Sequence, residues 1–177
     1  MKKIDLKYAY RLINHGPLVV VSARYNNSET FTPISWNMPV EHEPPLVAIT
    51  VSKENFVDQL IHRSKSFCLN ILEAEHVRRI IRMGEVSGKD VDKIAMTGMS
   101  KAECKKINAP YLLQSIGVAE CELIKTVTIE EVDIFIARVV YARANDKFKN
   151  GLWDGSRIRT VHHLGKYKFV TTKELKY

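Results

Sequence analysis

No apolar run among the 177 residues approaches the ~20 needed to cross a bilayer, which argues against a membrane-spanning helix. The opening Met-Lys-Lys-Ile-Asp-Leu-Lys is basic but has no apolar stretch behind it. No signal peptide is read there, and a cytoplasmic location is expected. Cysteine is scarce: Cys68, Cys104 and Cys121 are odd in number, far apart and lack C-x-x-C spacing. That pattern predicts reduced thiols rather than a disulfide framework. Cys68 and Cys121 sit in apolar runs and read as small core residues. The six histidines show no H-E-x-x-H or related spacing, so no metal is predicted. The Walker A and G-x-G-x-x-G phosphate fingerprints are both missing, as are a G-x-S-x-G elbow and a Ser/His/Asp order.

What is present is an ordinary soluble composition, 45% hydrophobic and 27% charged. A chain of this length buries roughly two-thirds of its unfolded surface and needs no metal or disulfide staple. A single domain over residues 1–177 is expected, since no repeat, linker or low-complexity tract divides the chain. The net charge of +7 favours anionic partners. Those charges are dispersed over Arg78, Arg79 and Arg82, then Lys101, Lys105 and Lys106, then a lysine-bearing tail. They read as solvated faces, and no nucleic-acid partner is expected.

Periodicity places the elements. Residues 5–14 read as a short helix ended by Gly16-Pro17. Strands 18–25 and 29–36 flank the turn cluster Asn26-Asn27-Ser28 as a hairpin. Residues 37–45, with Pro39, Pro44 and Pro45, read as a loop, and LVAITVS (46–52) as a strand buried on both faces. Helices are predicted over 55–62 and 73–83, with a short one over 90–95. Strands follow at 66–72, 117–127, 133–144 and 167–171. Six or seven strands dominated by hairpins predict a mainly β protein, an antiparallel barrel with a few peripheral helices.

Four stretches could carry chemistry. Thr32-Pro33-Ile34-Ser35-Trp36-Asn37 is a strand interrupted by proline, which leaves backbone groups free for a planar heteroaromatic ligand; a solubilising edge strand explains it equally well. Ser52-Lys53-Glu54-Asn55-Phe56 runs a buried strand into a helix start, a place suited to phosphate; a plain cap by Ser52 is the alternative. Ser87-Gly88-Lys89 precedes another helix start, and Gly88 permits close backbone approach. His162 and His163 are adjacent on a strand and so face opposite ways, which makes them poor joint ligands.

The order of these elements is more specific than any one of them. GPLVVVSAR, FTPISWNMPVEHEPPLVAITVSKENF, GEVSGKDVDKI, INAPYLLQSIGVAECEL, DIFIARVV and HHLGKYK follow one another along residues 10–170. In this the chain resembles the flavin reductase family, whose fold is the FMN-binding split β-barrel. The resemblance implies a homodimer with one FMN per subunit. It implies that the segment Thr32 to Asn37 lines the isoalloxazine and that Ser52, Lys53, Asn55 and Phe56 hold the phosphate end. It also implies that the motif of Ser87, Gly88, Lys89, Asp90, Asp92 and Lys93 lies near the flavin and nicotinamide, with His162 and His163 as candidate contributors. Ile94 stands where the family often has Phe, and Leu164-Gly165-Lys166 where it often has a Gly-Gly pair.

The implied activity is an NAD(P)H-dependent flavin or ferric-chelate reductase, with NADH or NADPH as hydride donor. The alternative is a flavoredoxin-type electron carrier served by a redox protein. Either fits the lack of an acid, base or nucleophile constellation, because the hydride chemistry belongs to the flavin.

Overall fold

The computed structural model describes residues 16–175; the helix read at 5–14 lies outside them. Thirteen strands and three α-helices are assigned within that range. Seven strands form one antiparallel sheet: β1 (Val19–Tyr25), β2 (Ser28–Ile34), β3 (Asn37–Glu41), β4 (Leu46–Ser52), β5 (Ser66–Ile71), β8 (Gly117–Ile129) and β9 (Val132–Ala144). Their spatial order is β2-β1-β5-β8-β9-β4-β3.

The two outer strands of that order, β2 and β3, are consecutive in sequence, joined only by Ser35 and Trp36. One edge therefore runs directly into the other. The Thr50 amide donates to the Trp36 carbonyl at 2.9 Å, which carries the β3–β4 ladder back to the β2–β3 link. The sheet thus curls into a split barrel, which protects edges that would otherwise template further pairing. Two register shifts in the β8–β9 ladder, at Glu120/Cys121 and Leu123/Lys125, add the local twist that such curvature needs.

Strand alternation fixes what lies inside. Val19, Val21 and Ala23 of β1 join Ile49, Val51, Phe67, Leu69, Cys121, Phe135 and Ala137 in the barrel core. Helix α1 (Phe56–Ser64) adds Val57, Leu60 and Ile61 to this cluster. The opposite face of β1 and β2 carries Leu18, Val20 and Phe31. These pack against Ile80 and Met83 of α2 (Val77–Gly84) and Val161 of β12 (Val161–Gly165). That double coverage is why β1 reads as a continuous apolar run. Strand β12 pairs with β13 (Lys168–Thr171).

A third cluster lies under the ribbon of β6 (Lys101–Glu103) and β7 (Pro110–Leu112), where Cys68 and Val118 meet Ile107 and Ala109. The fully buried Glu120 carboxylate accepts the Lys105 and Lys106 amides at 2.8 and 2.6 Å and ties the ribbon down. Asn70, also fully buried, accepts the Leu112 amide at 2.7 Å and donates to the Val20 carbonyl at 2.9 Å. The remaining ribbon pairs β10 (Phe148–Lys149) with β11 (Leu152–Trp153).

Three details differ from the expectations. Residues 37–41, read as loop, form strand β3. Pro39 is tolerated because β3 ends the sheet order and shifts register at Pro39/Glu41. The helix over 73–83 is a 3-10 turn at Ala74–His76 followed by α2. The short helix is α3 at Lys93–Thr97 rather than 90–95, because Asp92 caps it, its carboxylate accepting the Ile94 and Ala95 amides at 2.9 and 3.1 Å.

Candidate functional site

A cavity of about 670 Å³ opens between the β1–β2 turn, the first residue of α1 and the segment leading into α3. Its size suits a nucleotide-sized ligand, since small-molecule pockets run from about 300 to 1,000 Å³. Thr30, Phe31, Phe56, Gly88, Lys89 and Lys93 are among the residues that line it.

Gly88 and Thr30 meet in the wall. A Cβ on residue 88 would lie 1.9 Å from Thr30 Oγ1 and 2.7 Å from Thr30 Cβ, so only glycine permits this approach. The Thr30 hydroxyl is buried and has no hydrogen-bond partner among the described residues. A buried polar group left unmatched is costly, and such groups in native folds ordinarily find a partner.

Lys93 is the second unmatched group. It is only 5% exposed, and its ammonium makes no ion pair or hydrogen bond with any described residue. Burial alone pulls its pKa down to about 8. The acids in the lining are differently placed. Glu29 is engaged by Arg24 at 2.7 Å and by Lys101. Asp92 is committed to the α3 amides. The lining thus balances three lysines with three acids by count, yet Lys89 and Lys93 make no ion pair with them.

The residues singled out from the sequence are distributed over several places. Phe56, Gly88 and Lys89 line the cavity, and Ser87 lies just before Gly88, its hydroxyl accepting the Lys89 amide at 3.2 Å. Asn55 is the N-cap of α1, not Ser52, and its side chain makes no capping bond. Lys53 donates to the Glu130 carbonyl at 2.5 Å and does not line the cavity. Ile34 is in the barrel core. Asn37 donates to the Pro17 and Ile34 carbonyls at 2.8 and 3.3 Å, pinning the seam. Thr32 is half-buried on β2, and Trp36 is largely exposed at the seam.

Pro33, Ser35 and His163 instead line a second cavity of about 510 Å³, with Ile80, Tyr167 and Phe169. His163 Nε2 lies 2.8 Å from the Lys166 carbonyl and its ring packs on Phe169 at 5.0 Å. His162 Nε2 lies 3.3 Å from Thr160 Oγ1. Thr30 and Glu29 were not singled out from the sequence, because a threonine and a glutamate in a strand carry no signal until Gly88 is seen against them. Lys93 was reached only through the family motif.

The fold is a split β-barrel with a polar cavity large enough for a small ligand, and the comparisons with known proteins narrow the class. The flavin reductase like domain profile matches residues 10–162, and the chain belongs to that family. YddH of Escherichia coli K12 is 34% identical over 176 residues, covering 96% of this chain and 93% of that protein. Nitrilotriacetate monooxygenase component B from Bacillus cereus shares the fold with a TM-score of 0.87 at 17% identity, over 100% of this chain and 98% of that one. Flavoredoxin of Desulfovibrio vulgaris (Miyazaki F) does so with a TM-score of 0.85 at 22% identity, over 100% and 96%.

Proposed function

We propose that the chain binds FMN in the cavity walled by Thr30, Phe56, Gly88 and Lys93, and acts as an NAD(P)H-dependent flavin or ferric-chelate reductase. The observation that carries this reading is Lys93, a largely buried lysine with no ion pair among the described residues, lining a nucleotide-sized cavity in a member of this family. A buried charge of this kind is unfavourable until an anionic group meets it. FMN offers two, its phosphate and the pyrimidine edge of its reduced ring. The position of Lys93 in the cavity wall suits the ring edge, where the lysine would hold the negative charge that develops on reduction.

The other residues have matching tasks. Gly88 lets the 88–92 segment close against Thr30 and so shapes the wall that the ring would meet. Phe56 presents an aromatic edge and marks the start of α1, whose leading amides suit the phosphate end together with Asn55 and Lys89. When bound, FMN supplies the ring that accepts hydride from NADH or NADPH and passes electrons on.

A homodimer is part of the same reading. Trp36, Met38 and Val40 alternate along the seam and β3 and are 44%, 60% and 43% exposed. They form an apolar stripe suited to a second copy of the chain.

The test is oxidation of NADH or NADPH by the purified protein with added FMN. Catalysed loss of the nicotinamide absorbance is the expected result. A protein that holds FMN tightly and oxidises neither nicotinamide would be a flavoredoxin-type carrier instead. A protein that neither retains nor reduces FMN overturns the proposal.

A further inference from the structure

We infer that Asp58, His62 and Asp133 form a divalent-cation site of the zinc class, where α1 meets the β8–β9 hairpin. None of the three lines either cavity, so the site is separate from the proposed flavin site. Asp58 and His62 are four apart on α1, which puts both on one face of the helix. Asp133, the second residue of β9, comes from the other side of the junction. One ligand atom from each lies within 4.8 Å of the other two.

The distances bracket what a metal needs. His62 Nε2 is 2.7 Å from Asp133 Oδ2 and 3.8 Å from Asp58 Oδ2. Tetrahedral zinc with ligands at about 2.0–2.1 Å separates its donor atoms by roughly 3.3 Å. The Asp58–Asp133 pair is bounded at 4.8 Å, so side-chain shifts on the order of 1 Å bring all three donors to that spacing. A second, independent sign is Asp58 Oδ1, which is sealed from solvent and has no hydrogen-bond partner among the described residues. Asp58 as a whole is 5% exposed. A cation held by the Asp58 carboxylate would compensate that oxygen.

The surroundings hold the set in place. Thr128 Oγ1 donates to Asp133 Oδ1 at 2.5 Å, leaving Oδ2 to face His62. The His62 ring meets Phe135 edge-on at 5.1 Å, which fixes its plane. His62 is 38% exposed and gives an ion a way in, with the fourth position open to water. The nearby cation is Lys53, whose ammonium is taken up by the Glu130 carbonyl. One imidazole and two carboxylates form a mixed nitrogen and oxygen set, which zinc accepts and magnesium does not favour. Bound there, zinc would cross-link α1 to β9.

The test uses the full chain stripped with a chelator and titrated with zinc sulfate in a calorimeter, with magnesium as the control. One zinc per chain is expected, with little heat from magnesium and a rise in the melting midpoint. His62→Gln, at the partly exposed position, and Asp58→Asn should each weaken zinc binding roughly tenfold or more. X-ray absorption should find nitrogen and oxygen neighbours only. Sulfur in the zinc shell would place the ion on the cysteines and overturn the assignment. So would affinity unchanged in both variants, or no zinc binding by the parent protein.

Discussion

At the scale of single residues, Lys93 and Gly88 decide the candidate site. Lys93→Met removes a charge that has no ion pair among the described residues. It should therefore weaken FMN binding by roughly 10- to 100-fold, the range for a lost hydrogen bond to a charged group, without destabilising the free protein. Flavin titration beside urea unfolding separates the two effects. The pH dependence follows from a folded pKa of about 8 against 10.5 for ordinary lysine. Below pH 8 both folded and unfolded chains hold the proton, and the cost of burying it is fully present. Between pH 8 and 10.5 the folded chain releases it first, so this group makes the protein more stable as pH rises. FMN affinity should move the opposite way, falling above pH 8 as the ammonium is lost, and Lys93→Met should flatten both profiles. Gly88→Ala forces a Cβ to within 1.9 Å of the Thr30 hydroxyl. The 88–92 segment must then move off the wall, and FMN affinity should drop at least about tenfold with a smaller change in melting midpoint.

At the scale of elements, the sequence discloses what is periodic and hides what is set by distant partners. Strands β1, β4, β5, β8 and β9 are legible because alternating or continuous β-branched runs bound them. Strand β3 is not, because Pro39 with Pro44 and Pro45 just beyond it reads as loop, and only the sheet order reveals an edge that tolerates Pro39. The segment 52–56 is legible as a strand-to-helix junction, yet the placement of Lys53 on the Glu130 carbonyl follows from the β8–β9 turn 77 residues away. The cavity itself joins Thr30, Phe56 and Gly88, whose separations no local pattern encodes. Glu120 is a further case, a buried carboxylate in a strand that holds the β6–β7 ribbon through two amides. Glu120→Ala should cost about 2–3 kcal/mol in urea unfolding and speed amide exchange at Lys105 and Lys106.

At the scale of the whole molecule, the barrel seam is where the fold meets the proposed dimer contact. Consecutive strands β2 and β3 close the sheet, and the residues that do so carry the exposed apolar stripe of Trp36, Met38 and Val40. Met38→Lys places a charge in the middle of that stripe. Light scattering should find the parent chain as a dimer and the variant shifted toward monomer, with far-ultraviolet dichroism unchanged. A parent chain that is monomeric at high concentration would refute the dimer. The central claim, that the cavity around Lys93 holds FMN, is tested most directly by titrating FMN with the purified protein and following flavin fluorescence. The account predicts a saturable change at one FMN per chain, weakened in Lys93→Met. Fluorescence that stays that of free FMN at all protein concentrations would contradict it.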